Sequence, residues 1–362
     1  PELAKKRRDS VLRSMEQQGY ITSQQHAQAA KQPIVVNPPK IDIQAPHFVF
    51  EVKKLLESEY GLSQLEEGGL TVTTTLDLET QREAEKILSE EVDRIKNLNV
   101  TNGAVLVTRP PTGEVLAMVG SVDYFATASG AFNVATANTR QPGSSIKPIN
   151  YAIGIDRKIV TASTMFLDVA TCFNNPGQPQ GYCPKNYDGK FHGPVQLRYA
   201  LANSYNIPAV KMLAYNGVEN FIASSSAFLI TSFKNPKNYG LSLTLGGGEV
   251  PMTEMAQAYS ALANRGIPRK LNYVLKVEDR NGKVLYEFKD PNYKHEVKKS
   301  LSLPNYLAMD GKRAISEDAA FIVSHILQDN GARTSAFGPN SELVVPSKSV
   351  SVETGTTDDL RN

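Results

Sequence analysis

The chain has 362 residues, 41% hydrophobic and 21% charged, which suits one large globular domain with a smaller flanking piece and excludes a disordered chain. Its 39 Lys and Arg nearly balance 37 Asp and Glu, so the net charge of +2 gives no reason to expect nucleic acid or another polyanion as a partner. No apolar run approaches the ~18 residues of a membrane span, and there is no signal-peptide pattern. Because the chain opens on Pro1 without a methionine, it is expected to be an internal segment of a longer polypeptide, with any membrane anchor outside it.

In chain order, residues from Lys5 to Lys31 read as short helices. Val11, Leu12 and Met15 sit at helical spacing, Gly19 ends the first helix, and Thr22 or Ser23 caps the next. The cluster Lys5, Lys6, Arg7, Arg8 reads first as a solvated face and second as a contact for anionic lipid. The proline-rich stretch from Pro33 to Pro46 reads as an extended linker. The following helix is expected to turn Phe48, Val52, Leu55 and Leu56 to one side. A Val- and Thr-rich strand comes next, then an amphipathic helix from about Leu78.

Two hairpins are predicted, one turning at Pro111-Thr112-Gly113 and one at Asn281-Gly282, with mostly helical segments between them. One of those, EMAQAYSALANRG, ends at Gly266. Strands at both ends of a helical middle predict an α+β fold, with helices packed on an antiparallel sheet. Cys172 and Cys183 bracket a Gly- and Pro-rich loop. A disulfide, which would imply an oxidising compartment, is the preferred reading. Two free thiols, or a metal site recruiting His192, remain open alternatives.

Three short elements carry the chemistry. In Arg140-Gln-Pro-Gly-Ser144-Ser-Ile-Lys147, the Pro-Gly pair breaks the chain, and Ser144 then falls at a helix N-terminus, where free N–H groups favour developing negative charge. Lys147, three residues on, projects from nearly the same face. A serine hydroxyl needs a base within reach, and lysine serves only if its pKa falls well below about 10.4. The bland alternative is a capping serine beside a surface lysine. The second element, Ser204-Tyr205-Asn206, lies between two helical patterns, where both polar side chains can point into one cleft; simple turn chemistry is its alternative. The third, Glu353-Thr354-Gly355-Thr356-Thr357, follows an alternating stretch that predicts a strand, with a glycine permitting close approach of a ligand.

Together with RQPGSSIKP, NYDGKFHGPVQLRYALANSYNIPAVK, TLGGGEVPMTEMAQAYSALANRG and TGTTDD, these elements resemble the transpeptidase domain of class A, bifunctional penicillin-binding proteins, of serine β-lactamase/D,D-peptidase-like fold. The resemblance divides the chain into a glycosyltransferase tail (1–32), an interdomain linker (33–100) and a transpeptidase domain (101–362). It implies that Ser144 is the acylated nucleophile and Lys147 its proton acceptor, that Ser204 relays protons and Asn206 holds substrate backbone, and that Thr354, Gly355 and Thr356 bind the substrate carboxylate. The N–H groups of Ser144 and Thr356 would form the oxyanion hole. The implied partners are donor and acceptor stem peptides of peptidoglycan, with β-lactams as covalent inhibitors and a membrane reached through a segment outside this chain. The implied location is the extracytoplasmic face of a bacterial cell membrane. No metal, organic cofactor or nucleic acid is implied, and the short N-terminal tail is expected to polymerise no glycan.

The chain departs from the family at Glu353, where lysine is expected. A carboxylate there should repel the substrate carboxylate and raise the pKa of Lys147, opposing its use as a base; one charge contact near 4 Å is worth about 4 kcal/mol at an effective dielectric of ~20. Lys348, five residues earlier, would face the opposite side of a strand. The chain also ends at Asn362, where the family continues with further strands, which would leave a sheet edge exposed. Two other functions stay in view: a catalytically impaired scaffold or sensor, favoured by Glu353, and a D,D-carboxypeptidase or β-lactamase, disfavoured by the linker.

Overall fold

The computed structural model describes residues 2–34, 43–126, 129–137, 140–174, 181–289 and 311–357. They fall into two compact units, Pro1–Gln44 and Ala45–Asn362. The first holds α1 (Glu2–Gln17) and α2 (Ser23–Lys31). Thr22 caps α2 through a reciprocal pair: its hydroxyl accepts from Gln25 N at 3.2 Å, and the Gln25 side chain accepts from Thr22 N at 2.8 Å. Most of the expected proline-rich linker, 35–42, lies outside the described residues.

The second unit begins with α3 (Pro46–Tyr60) and α4 (Leu62–Glu67), then β1 (Thr71–Thr74) and α5 (Leu78–Ile95), which Asp77 caps at Thr80 N. Phe48, Val52 and Leu56 are buried as their spacing predicts, but Leu55 is 41% exposed. The three buried residues already occupy the i, i+4, i+8 stripe, and Leu55 lies one position off it. The stripe packs with Val115, Met118, Tyr273 and Val277 into one apolar cluster. The segment read as an interdomain linker thus shares a core with residues more than a hundred positions away, and the contact boundary falls at Gln44/Ala45.

Next come the hairpin β2 (Val105–Arg109) and β3 (Glu114–Val119), then α6 (Lys147–Asp156) and β4 (Met165–Asp168), which pairs with β5 (Gly193–Gln196). The helical middle continues with α7 (Leu197–Ala202), α8 (Asn206–Asn216), α9 (Val218–Ala227) and α10 (Met252–Ala263). The second hairpin, β6 (Val274–Glu278) and β7 (Val284–Glu287), is followed by α11 (Glu317–Gln328) and α12 (Asn330–Phe337). Both hairpins turn where predicted, and Gly282 takes the left-handed φ of +77° that its turn requires.

The α+β expectation holds, with a difference in the sheet. Among the described residues three small antiparallel sheets replace a single one: β1-β6-β7, β2-β3 and β4-β5. β1 pairs with β6 from Thr71↔Glu278 onward, which draws strands from both ends of the unit together. The principal core lies in the helical middle. Ile146, Ile149, Tyr151 and Ile153 of the α6 region meet Leu197, Leu201, Met212 and Phe221, with Val323 and Ile326 of α11 behind them.

The strand predicted before the third motif does not form. Residues 350–357 carry no ladder pairing: Val352 N donates to Leu327 O at the end of α11, and the Ser351 hydroxyl to Ser324 O. Lys348 sits in a turn whose N–H bonds Val345 O, so strand alternation does not decide which way it faces. The alternating pattern predicts a half-buried strand, but residues 344–349 are exposed and the chain is tied down only near Val352, at the end of α11.

Candidate active site

The Pro142-Gly143 break works as the sequence suggests, with a tighter start. Gly143–Ile146 form a 3₁₀ turn that runs directly into α6. Ser144 therefore opens a continuous helical segment and is partly exposed, while Lys147, one turn on, is fully buried. The turn is held in place by two bonds: the Ser145 hydroxyl donates to Pro142 O at 2.6 Å, and the Tyr259 hydroxyl of α10 donates to Ser145 O at 2.8 Å.

Lys147 Nζ donates to Ser204 O at 2.5 Å, to Asn206 Oδ1 at 2.7 Å and to Ser204 Oγ at 3.2 Å. The first two motifs therefore meet at the lysine amine. Ser204 adopts φ +53° between α7 and α8, a left-handed conformation costing an L-residue about 1 kcal/mol. That backbone twist turns the Ser204 carbonyl onto the amine, so residue 204 contributes both its main chain and its side chain. None of the three bonds reaches Ser144. As a neutral amine, Lys147 would keep two of these bonds and have one lone pair for an incoming proton.

The third motif lies against the Ser144 turn. A Cβ placed on Gly143, which has φ +57°, would stand 2.6 Å from Thr356 O and 2.7 Å from Thr356 N; on Gly246 it would stand 2.3 Å from Gly143 N. Three backbone segments thus stack with no room for a side chain between them, which brings the Thr356 peptide beside Ser144. Thr354 is partly buried, and Gly355 and Thr356 are exposed at the same edge.

Glu353 belongs to the same cluster: its carboxylate interacts with the Ser204 side chain and accepts from Thr354 N at 3.2 Å. The expectation that it would raise the pKa of Lys147 is correct in sign, but burial dominates. Desolvation pulls the Lys147 ammonium down to about 7, against the opposing pull of Glu353. Desolvation likewise pushes the Glu353 carboxyl up to about 7, partly offset by Lys147, by bonds from Thr354 and Ser204, and by the charge of Arg333. A neutral lysine beside a protonated carboxyl and an ammonium beside a carboxylate hold the same number of protons, so the two groups titrate as one pair.

Several contributors escaped the sequence reading. Asn186 Oδ1 accepts from Asn206 N, Lys185 O accepts from Asn206 Nδ2, and buried Asp168 holds Asn186 and His192. The stretch NYDGKFHGPVQL was visible as a long match to a family, but no local pattern says which of its residues face the cleft. The disulfide joins Cys172 and Cys183 just ahead of Lys185, with Phe173 and Tyr182 exchanging two backbone hydrogen bonds of 2.8 Å beside it. Both thiols are consumed there, leaving none for a metal.

A family model described as the penicillin-binding protein transpeptidase domain matches residues 103–361. The chain belongs to that family. Penicillin-binding protein 2D of Bacillus subtilis (strain 168) is 34% identical over 300 residues, which are 81% of this chain and 42% of that protein. Penicillin-binding protein 1A of Aquifex aeolicus (strain VF5) is 28% identical over 369 residues, 79% of this chain and 49% of its own. The chain spans less than half the length of these curated relatives. Among solved structures, penicillin-binding protein 1A from Haemophilus influenzae matches with a TM-score of 0.68 at 22% identity, covering 91% of this chain and 63% of that chain. The imipenem acyl-enzyme complex of penicillin-binding protein A from M. tuberculosis matches with a TM-score of 0.62 at 18% identity, covering 86% and 73%. These structural matches concern the fold of the transpeptidase domain. Among the described residues, no helix is long and apolar enough to cross a membrane.

Proposed function

We propose that this chain is a serine D,D-transpeptidase that crosslinks peptidoglycan stem peptides through an acyl-enzyme on Ser144. The observation that carries the reading is Lys147: a fully buried lysine, clasped by both polar residues of the second motif, with its pKa drawn down into the range a general base needs. In the first step Ser144 Oγ attacks the penultimate D-Ala carbonyl and its proton passes to neutral Lys147. The Ser144 and Thr356 N–H groups receive the oxyanion. The tetrahedral carbon then expels the terminal D-Ala, whose nitrogen takes up a proton through Lys147 and the Ser204 hydroxyl. In the second step an amine of a neighbouring stem attacks the ester, its proton returns by the same route to Ser144 Oγ, and an amide crosslink is left. Thr354, Gly355 and Thr356 are the proposed carboxylate-binding edge.

The reading extends to β-lactams, whose strained amide would acylate Ser144 and stay there; a structural relative is described as an imipenem acyl-enzyme. It also places the domain on the extracytoplasmic side of a bacterial membrane, where a disulfide between Cys172 and Cys183 persists. On the same reading, residues 1–32 are the tail of a glycosyltransferase domain and 33–100 an interdomain segment.

Glu353 supports one rival, a peptide-binding scaffold in which the partly buried carboxylate keeps Lys147 protonated. Incubation with a synthetic stem pentapeptide and an acceptor amine separates the two. Free D-alanine together with a crosslinked product, both lost in Ser144→Ala, is the result expected of the enzyme. Bound but unprocessed pentapeptide is the result expected of the scaffold and would overturn the enzyme reading.

A further inference from the structure

Asn206 meets Lys147 through one end of its amide, and an amide has two ends of similar shape but opposite character. What selects the oxygen for the lysine is a group of residues on the preceding loop and strand. Asn206 Nδ2 donates to Lys185 O at 2.7 Å, which leaves Oδ1 for Lys147 at 2.7 Å. The Asn206 main chain is fixed from the same side, since its N–H donates to Asn186 Oδ1 at 2.8 Å. Asn186 in turn is oriented by two acceptors of its own: Nδ2 donates to Asp168 Oδ2 and to Lys190 O, both at 2.8 Å. With both acceptors on the nitrogen side, only the Asn186 oxygen is left to face Asn206.

Asp168 ends β4 with its side chain fully buried, an expensive place for a carboxylate unless it is well bonded. The Asp168 Oδ2 atom also accepts from His192 N at 3.0 Å and pairs with His192 Nδ1 at 2.6 Å. On its far side the His192 ring approaches Asp188 at 3.2 Å, and its face stacks on Tyr205 with centroids 3.9 Å apart. Residues 204–206 are therefore gripped at three points: Asn186 on the Asn206 main chain, Lys185 on its amide, and His192 on the Tyr205 ring between the two motif residues.

We propose that Asn186, anchored on Asp168, is a positioning residue for acyl transfer: it fixes the Asn206 main chain where the side-chain amide, oriented by Lys185 O, brings its Oδ1 to Lys147. The role acts through Asn206 and needs no contact with substrate. It rests on the reading that Ser144 is acylated, and the experiment distinguishes the two. The acylation rate with a fluorescent penicillin is measured from pH 5.5 to 9.5, alongside melting temperature, for the wild type, Asn186→Ala, Asn186→Asp, and Asn186→Asp combined with Asp168→Asn. Asn186→Ala should acylate about tenfold more slowly, the size of one fixed hydrogen bond. The midpoint of its pH profile should move to lower pH, because the Lys147 ammonium loses an aligned acceptor.

Asn186→Asp should be slower still, with two carboxylates facing each other. The double variant restores one donor–acceptor pair between positions 168 and 186 but leaves Lys190 O without its donor, and should recover part of the rate lost in Asn186→Asp. A merely structural role predicts rates that follow melting temperature with an unmoved pH midpoint. An Asn186→Ala rate within twofold of wild type at an unchanged midpoint overturns the proposal; if that variant fails to fold, lack of recovery in the double variant does so. A wild type that is not acylated removes the acyl-transfer reading alone. Amide hydrogen exchange at Asn206 then decides: faster exchange in Asn186→Ala supports the grip, and unchanged exchange refutes it.

Discussion

Replacing Glu353 by glutamine keeps its shape and removes its charge, and the consequence follows from the contacts in the site. The Ser204 side chain bonds the Lys147 amine and interacts with the Glu353 carboxylate, and the two charged groups act on each other. At an effective dielectric of ~20 a nearby charge is worth up to about 4 kcal/mol, and each ~1.4 kcal/mol moves a pKa by about one unit. Lys147 now titrates at about 7, with Glu353 holding it up against burial. Removing the charge should therefore lower it further.

Near pH 7, where Glu353 is about half ionised, about half of the wild-type lysine is neutral, and the variant's neutral fraction should be larger. Acylation by a chromogenic cephalosporin should therefore quicken by up to about twofold near pH 7 and change little at pH 9. Glu353→Lys should move the limb further in the same direction and, by adding a cation at the carboxylate-binding edge, improve acylation at saturating pH as well. A glutamine variant slower by one factor at every pH, with the limb in place, would refute the claim that Glu353 acts on Lys147 through charge.

Four further outcomes follow from the geometry. Gly143→Ala forces a Cβ onto the Thr356 backbone at a positive φ and should reduce acylation by more than a hundredfold, whereas Gly189→Ala, also at positive φ but with open space around it, should acylate at nearly the wild-type rate. Reducing the Cys172–Cys183 disulfide opens a loop with a sequence separation of 11 and should cost about 3 kcal/mol by loop-closure entropy, read as a lower denaturant midpoint.

The third concerns stability against pH. Glu353 binds its proton more tightly folded than unfolded, so its contribution is lost as pH rises from about 4.5 to about 7. Lys147 binds its proton less tightly folded, so the cost of burying it is relieved as pH rises from about 7 toward 10.5. Unfolding free energy should thus pass through a shallow minimum near neutrality, and Glu353→Gln should abolish its acid side. Finally, Tyr259→Phe, which loses only the bond to Ser145 O, should slow acylation several-fold with little change in melting temperature.

Features that depend on near neighbours were the most legible in the sequence. The two hairpin turns, the Thr22 and Asp77 caps and the nucleophile turn after Pro142-Gly143 all arise from residues a few positions apart. The pairing of β1 with β6 was legible only as strands at both ends, because nothing local tells Thr71 to meet Glu278. Leu55 and the strand expected over 344–352 differ for a related reason: periodicity suggests a buried face, while whether a partner covers it is set by the tertiary fold.

Within the site, residue types and spacing pointed to Ser144, Lys147, Ser204 and Asn206, and the structure brings the last three together at one amine. The positive φ of Ser204 and the Asp168–Asn186–Asn206 chain had no sequence signal, since they join positions 18 and 20 residues apart through side chains that look like loop polar residues. Glu353 is the instructive case. Its charge could be read, and so could the direction in which it acts on Lys147. The depth of burial that outweighs it could not.

The central claim is that Ser144 is a nucleophile activated by a lysine whose ammonium burial has weakened. The most direct measurement is intact-protein and peptide mass spectrometry after reaction with benzylpenicillin at pH 8, for the wild type, Ser144→Ala and Lys147→Ala. One penicilloyl group on the peptide containing Ser144 in the wild type, none in Ser144→Ala, and at least a hundredfold slower labelling in Lys147→Ala is the predicted result. A wild type that remains unlabelled at pH 8, or that is labelled equally well without Lys147, would contradict the account.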